Sequence, residues 1–145
     1  MGVCRFEDLR VWQAARKQCD LVGTLIKRAD FRSDPELSGQ MNGASISVMF
    51  NITEGFLRRR DKETLQFLRY AFASNGELKA GYYVAMGRSY TSADETEELI
   101  ALNESIAKML RRWEGTLDLG GPRTKDQGRT KDQGRTKNQE RSTKD

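Results

Sequence analysis

The sequence predicts an all-α protein: an antiparallel up-down-up-down four-helix bundle over residues 1–119, followed by a charged tail over 120–145. Three observations carry this. The chain has two prolines in 145 residues and no strand-like cluster of Val, Ile and Thr. Apolar residues recur at three- and four-residue steps in four separate stretches. Short connectors with helix-start and helix-stop residues divide those stretches, which sets consecutive helices side by side and antiparallel.

The first stripe is Leu9, Trp12, Ala15, Cys19, Val22, Ile26 and Ala29, spanning about six turns from Phe6. Arg10, Lys17 and Arg28 share a strip on its solvent side, the ordinary state of an outer helix face. Phe31–Ser33 reads as a connector. Asp34-Pro35-Glu36 then combines an acidic cap, a proline at the first helical position and an acid in the first turn. The second stripe is Leu37, Met41, Ala44, Val48 and Ile52. Gly39 and Gly43 each cost that helix about 1 kcal/mol against alanine, so close approach of a neighbouring helix is expected beside them.

Gly55 ends or bends the second helix. Arg58-Arg59-Arg60 follows, and Asp61 is the expected N-cap of the third helix, with Glu63 in its first turn. Arginines just before a helix N-terminus oppose its dipole, so helix stability does not explain them. The third stripe is Leu65, Leu68, Phe72, Asn75, Leu78, Tyr82 and Met86. Asn75 is polar within it, and a buried amide there is expected to find a hydrogen-bond partner. Phe67, Tyr70 and Tyr83 lie off the stripe and, with Phe56, are expected at a subunit interface; for Phe56, Phe67 and Tyr70 interface packing is preferred over a role as base-stacking platforms. Ser92 and Glu95 have the spacing of a capping box. Leu99, Leu102, Ile106, Leu110, Trp113 and Leu117 form the fourth stripe, which Gly120-Gly121-Pro122 should stop. Lys108, Arg111 and Arg112 complement the dipole of that last helix.

The formal net charge of +4 is unevenly held. Residues 122–145 carry eight Lys/Arg and four Asp/Glu, so the chain before them carries seventeen of each sign. The tail is an imperfect six-residue repeat (PRTKDQ, GRTKDQ, GRTKNQ, then ERSTKD) with too little apolar surface to order itself. Cys4 and Cys19 have no metal-site or disulfide spacing. No signal-like start and no apolar run of about eighteen residues is present, so a cytoplasmic chain is expected. The sequence has no histidine, no Gly-rich phosphate loop and no zinc spacing. No catalytic residue, metal or cofactor is therefore expected. Asn51 and Glu54 read as structural hydrogen-bonding groups. Arg58, Arg59, Arg60 and Lys62, with Arg69 seven residues on, form the dense basic cluster. Two readings of it stand side by side: phosphate contacts with nucleic acid, or ion pairs with Glu54 or Glu63 of a neighbouring subunit.

Several motifs in order carry a resemblance: Phe6-Glu7-Asp8-Leu9 with Val11-Trp12-Gln13, Asn51-Ile52-Thr53-Glu54-Gly55-Phe56, Arg59-Arg60 with Glu63, Phe67-Leu68-Arg69, and Ser74 with Glu77-Leu78. Over about residues 6–118 the chain resembles the bacterial four-helix proteins named for the intervening sequences of 23S ribosomal RNA genes. It departs from the familiar pattern at Met41-Asn42-Gly43 and Val48-Met49-Phe50. The resemblance implies a ring-shaped homopentamer without established catalytic activity. A related branch, the accessory variability (Avd) proteins of diversity-generating retroelements, binds a reverse transcriptase and nucleic acid. The expected function is thus a non-enzymatic adaptor that binds RNA or DNA, or alternatively an accessory scaffold for such a reverse transcriptase. Nothing suggests a membrane partner.

Overall fold

A computed structural model describes residues 2–120, and every regular element among them is helical. A single 3-10 turn, Phe6–Asp8, leads into α1 (Arg10–Leu25), α2 (Ala29–Arg32), α3 (Pro35–Leu57), α4 (Asp61–Gly87) and α5 (Ala93–Glu114). The expected tail, apart from Gly120, lies outside the described residues.

The start signals work unevenly. Asp34 caps α3 by accepting from the Leu37 N–H at 3.2 Å, with Pro35 at the first helical position. Ser92 caps α5 by accepting from the Glu95 N–H at 3.1 Å. The reciprocal half of the capping box is replaced: the Glu95 carboxylate takes a forked hydrogen bond from Arg28. Asp61 is not a cap. It is the first residue of α4, Arg60 stands at the N-cap without a side-chain bond, and Asp61 accepts from the Asp118 N–H at 2.8 Å.

The first helix differs most from expectation. Leu9 is extended between the 3-10 turn and α1, and α1 stops at Leu25. Its buried face is Val11, Ala15, Gln18, Val22 and Leu25, a stripe rotated from the expected one; Trp12, Cys19 and Ile26 are half-buried and Ala29 is exposed. Phe31 is no connector residue: it sits in the core at zero exposure, edge-on to Tyr90 with ring centres 5.3 Å apart. The α3 stripe is buried at all five expected positions, with Ser45 and Gly55 added. In α4, Ala71 and Ala85 take the fully buried places expected of Phe72 and Met86, which are half-buried. α5 ends at Glu114, where Gly115 follows, rather than at Gly120.

Gly55 does not end α3, which runs on to Leu57. A Cβ at Gly55 would only reach ordinary contact with α4, 3.4 Å from Phe67 Cβ and 3.5 Å from Leu68 Cδ2, and the Thr64 hydroxyl donates to the Gly55 carbonyl at 2.9 Å. Gly81 of α4 is where the close approach needs glycine, since a Cβ there would lie 2.8 Å from Met41 Cγ. Gly39 and Gly43 have open space where a Cβ would be. They line a shallow depression between α3 and α4 of about 500 Å³.

The contacting pairs among the long helices are α1 with α3, α3 with α4, α4 with α5 and α1 with α5. Their buried residues form two apolar clusters. Val11, Ile52, Leu68 and Leu110 belong to the one near the α3–α4 turn. Val22, Phe31, Met41, Tyr82 and Leu99 belong to the other. Between the clusters Gln18, Asn75 and Asn103 meet, each 1% exposed. Gln18 Nε2 donates to Asn75 Oδ1 at 3.0 Å, and Asn103 Nδ2 donates to Gln18 Oε1 at 3.0 Å. Asn75 thus has its expected partner, and in fact two. Among the described residues no buried side-chain N or O atom is left unbonded.

Candidate functional site

The α3–α4 turn places Arg58, Arg59 and Arg60 in sequence on an exposed corner, with Lys62 just beyond in α4. Glu54 accepts from Arg58 Nη2 at 2.8 Å within one turn of α3, and the Arg58 guanidinium lies 4.6 Å from the centre of the Phe67 ring. Glu54 thus pairs with Arg58 of the same chain, in an exposed ion pair within one helical turn. Among the described residues Arg59, Arg60 and Lys62 have no carboxylate within 4.0 Å. Arg69 is 3.6 Å from Glu114 and two-thirds exposed, a loose surface pair.

The remaining named residues surround this corner or lie along α4. Asn51 Nδ2 donates to the Ser47 carbonyl at 2.8 Å and to Ser47 Oγ at 3.0 Å; Ser47 in turn meets Ser74 of α4. Phe56 and Phe67 are half-buried, and Tyr70 and Tyr83 are each half-exposed. Tyr83 is well removed from the corner, near the far end of α4. Phe50 and Leu57 are 67% and 60% exposed, the largest such values among the bulky apolar residues described. Neither was expected at an interface, although the two stand seven residues apart on one strip of α3 with Gly43, off the buried stripe as Phe67 and Tyr70 are in α4.

Folding adds basic groups to this end that are distant in sequence. Arg111 lies 4.1 Å from the centre of the Phe72 ring. Arg10 and Arg112 flank a cleft of about 340 Å³ floored by Leu9, Val11, Met109 and Trp113. Residues 5–13, 51–70 and 107–120 make up this end and hold ten Lys/Arg against seven Asp/Glu. The other described residues hold seven against ten. A fold neutral in total is thus divided into a positive and a negative end.

At the negative end three ion pairs form, Arg28 with Glu95, Arg88 with Asp34 and Lys79 with Glu104. Asp34 accepts from Arg88 and, at 3.0 Å, from the Tyr90 hydroxyl. Partial desolvation pushes the Asp34 carboxyl up, but the bonds from Leu37, Tyr90 and Arg88 outweigh it and hold it below its ordinary value. The Arg28 hydrogen bonds, against a smaller opposing effect of burial, likewise hold Glu95 low. No group of three or more metal-ligating side chains exists among the described residues. Among them, too, no helix is long and apolar enough to cross a membrane.

Residues 7–112 match the family model described as 23S rRNA-intervening sequence protein. The chain belongs to that family. No curated protein was found to match it. The span shared with the 23S rRNA-intervening sequence proteins runs from the 3-10 turn into the last turn of α5. It contains the whole basic corner, the three buried amides and both apolar clusters.

Proposed function

We propose that this protein is a non-enzymatic oligomeric adaptor that binds RNA or DNA through the basic corner of Arg58, Arg59, Arg60 and Lys62, with Arg69 alongside. In this reading the four long helices act as an up-down-up-down four-helix bundle, and five copies close into a ring. The corner then recurs around the assembly, so weak phosphate contacts add across copies. The observation that carries the reading is the charge division. Arg59, Arg60 and Lys62 project from the end that holds ten Lys/Arg against seven Asp/Glu, without a carboxylate within 4.0 Å among the described residues. Arginines so placed work against the α4 dipole, and an anionic partner offsets that cost. The bulky apolar exposure of Phe50 and Leu57 supports association with further copies.

The test is binding of labelled RNA and DNA over a range of salt concentrations. Steeply salt-dependent binding is expected. The combined Arg58→Ala, Arg59→Ala, Arg60→Ala variant should bind about tenfold or more weakly at low salt, with a shallower salt slope. No binding to either nucleic acid at low salt refutes the reading.

Phe50 and Leu57 also favour a second reading, an Avd-like accessory subunit that holds a reverse transcriptase against this face. A contact made by buried apolar side chains persists at high salt, so co-purification with that enzyme there would favour the second reading over the first.

A further inference from the structure

We infer that Tyr70 is a stacking platform for one unpaired base, so that the nucleic acid taken up at the basic corner is single-stranded; this rests on the nucleic-acid reading above. Lys62, Leu65, Gln66, Arg69 and Tyr70 line a depression of about 180 Å³ on the outer side of α4, room on the scale of a single nucleobase. Tyr70 is half-exposed, yet its ring is held from two sides. Gln66 Nε2 donates to the Tyr70 hydroxyl at 2.6 Å, and Phe67 meets the ring edge-on with centres 6.0 Å apart. An aromatic ring fixed before binding loses little freedom when a base stacks on it.

The flanking chemistry suits a strand rather than a free base. Lys62 and Arg69 rim the depression, one helical strip apart, where they can contact the phosphates on either side of a splayed nucleotide. The Tyr70 hydroxyl proton is free of the Gln66 contact, in which the oxygen only accepts, and can donate to a base edge. A duplex keeps its bases stacked on one another and offers the ring nothing but backbone.

The experiment uses the full chain with single-stranded RNA oligonucleotides carrying 2-aminopurine, and with blunt duplexes of the same sequence. The wild type should prefer the single strand and change the 2-aminopurine fluorescence on binding. Tyr70→Ala should weaken single-strand binding by roughly five- to a hundredfold, abolish the fluorescence change and leave duplex binding unaltered. Tyr70→Phe, which keeps the ring, should retain most of the affinity. Equal affinity for duplex and single strand, or a Tyr70→Ala variant that binds single strands like the wild type, overturns the inference while leaving the basic corner's role intact. A lower solution mass for Tyr70→Ala would mark the ring as a contact between copies and overturn it too. Failure of the wild type to bind any of these oligonucleotides refutes the broader reading and this one with it.

Discussion

Asn75 and Asn103 exchange amide hydrogen bonds across the α4–α5 seam. Asn75 Nδ2 donates to the Asn103 carbonyl at 2.9 Å, and Asn103 Nδ2 donates to the Asn75 carbonyl at the same distance. Gln18 closes the set from α1. The exchange is possible only at one relative height of the two helices, so it records their register as much as it stabilises them. Asn103→Ala removes the Asn103 side-chain bonds to Gln18 and Asn75 and leaves the buried Gln18 Oε1 with only the long 3.5 Å contact from the Tyr82 hydroxyl. A loss of about 2–4 kcal/mol is expected by urea denaturation. Replacing Gln18, Asn75 and Asn103 together by leucine, with Tyr82→Phe because the buried Tyr82 hydroxyl donates to Gln18 Oε1, removes every such group and should recover most of that loss. The cost should appear instead as a weaker near-ultraviolet circular dichroism signal, from a less uniquely packed core.

Phe31 is fully buried although it lies between two long helices. Phe31→Ala should therefore cost about 3–5 kcal/mol, as for any large aromatic removed from a core. Arg32→Ala, next to it and exposed, should stay within about 0.5 kcal/mol of wild type. Similar losses for both in thermal denaturation would contradict the burial of Phe31.

Gly39 and Gly43 lie on the outer side of α3, with nothing within 4 Å of the place a Cβ would take. Replacing both by alanine should raise the stability of the fold by about 1–2 kcal/mol through helix propensity alone. Gly81→Ala should give no such gain, because Met41 must first move aside. Destabilisation by the Gly39/Gly43 double variant would instead show that another chain fills this groove.

The carboxylates of Asp34 and Glu95 are held below their ordinary values in the fold. Their contribution to stability is fully present above the unfolded-state value near 4 and fades as pH falls through the lowered folded-state value. Acidification below pH about 4 should lower the melting temperature, and less so in the Asp34→Asn, Glu95→Gln variant. Tyr82 behaves oppositely. Burial raises its phenol, so its stabilising effect holds below the unfolded value near 10 and is lost as pH climbs beyond it. Tyr82→Phe should be the less alkali-sensitive protein.

Much of the fold was legible because α3 and α5 place most of their large apolar residues on the core side, where a three- and four-residue step finds them. α1 misled for a physical reason. Gln18 occupies a core position, and a reading that follows apolar residues steps around it to Cys19. In α4 the same preference for bulk chose Phe72 and Met86 over Ala71 and Ala85, though tight helix contact favours small residues. The basic corner was legible because its members are neighbours in the chain. The base-sized depression was not, since Gln66 looks like any solvent-facing residue until its bond to Tyr70 is seen.

Taken alone, the sequence determined the helical class, the starts of α3 and α5, the cluster of three arginines and the neutrality of everything ahead of the tail. Those properties depend on spacing and composition within one stretch of chain. Only the tertiary structure decided that Gln18, Asn75 and Asn103 share one buried layer, that Arg58 is held by Glu54 and Phe67, and that the neutral part divides into a positive and a negative end. Each of these is set by which helices touch and at what height, a relationship between distant segments that no local pattern encodes.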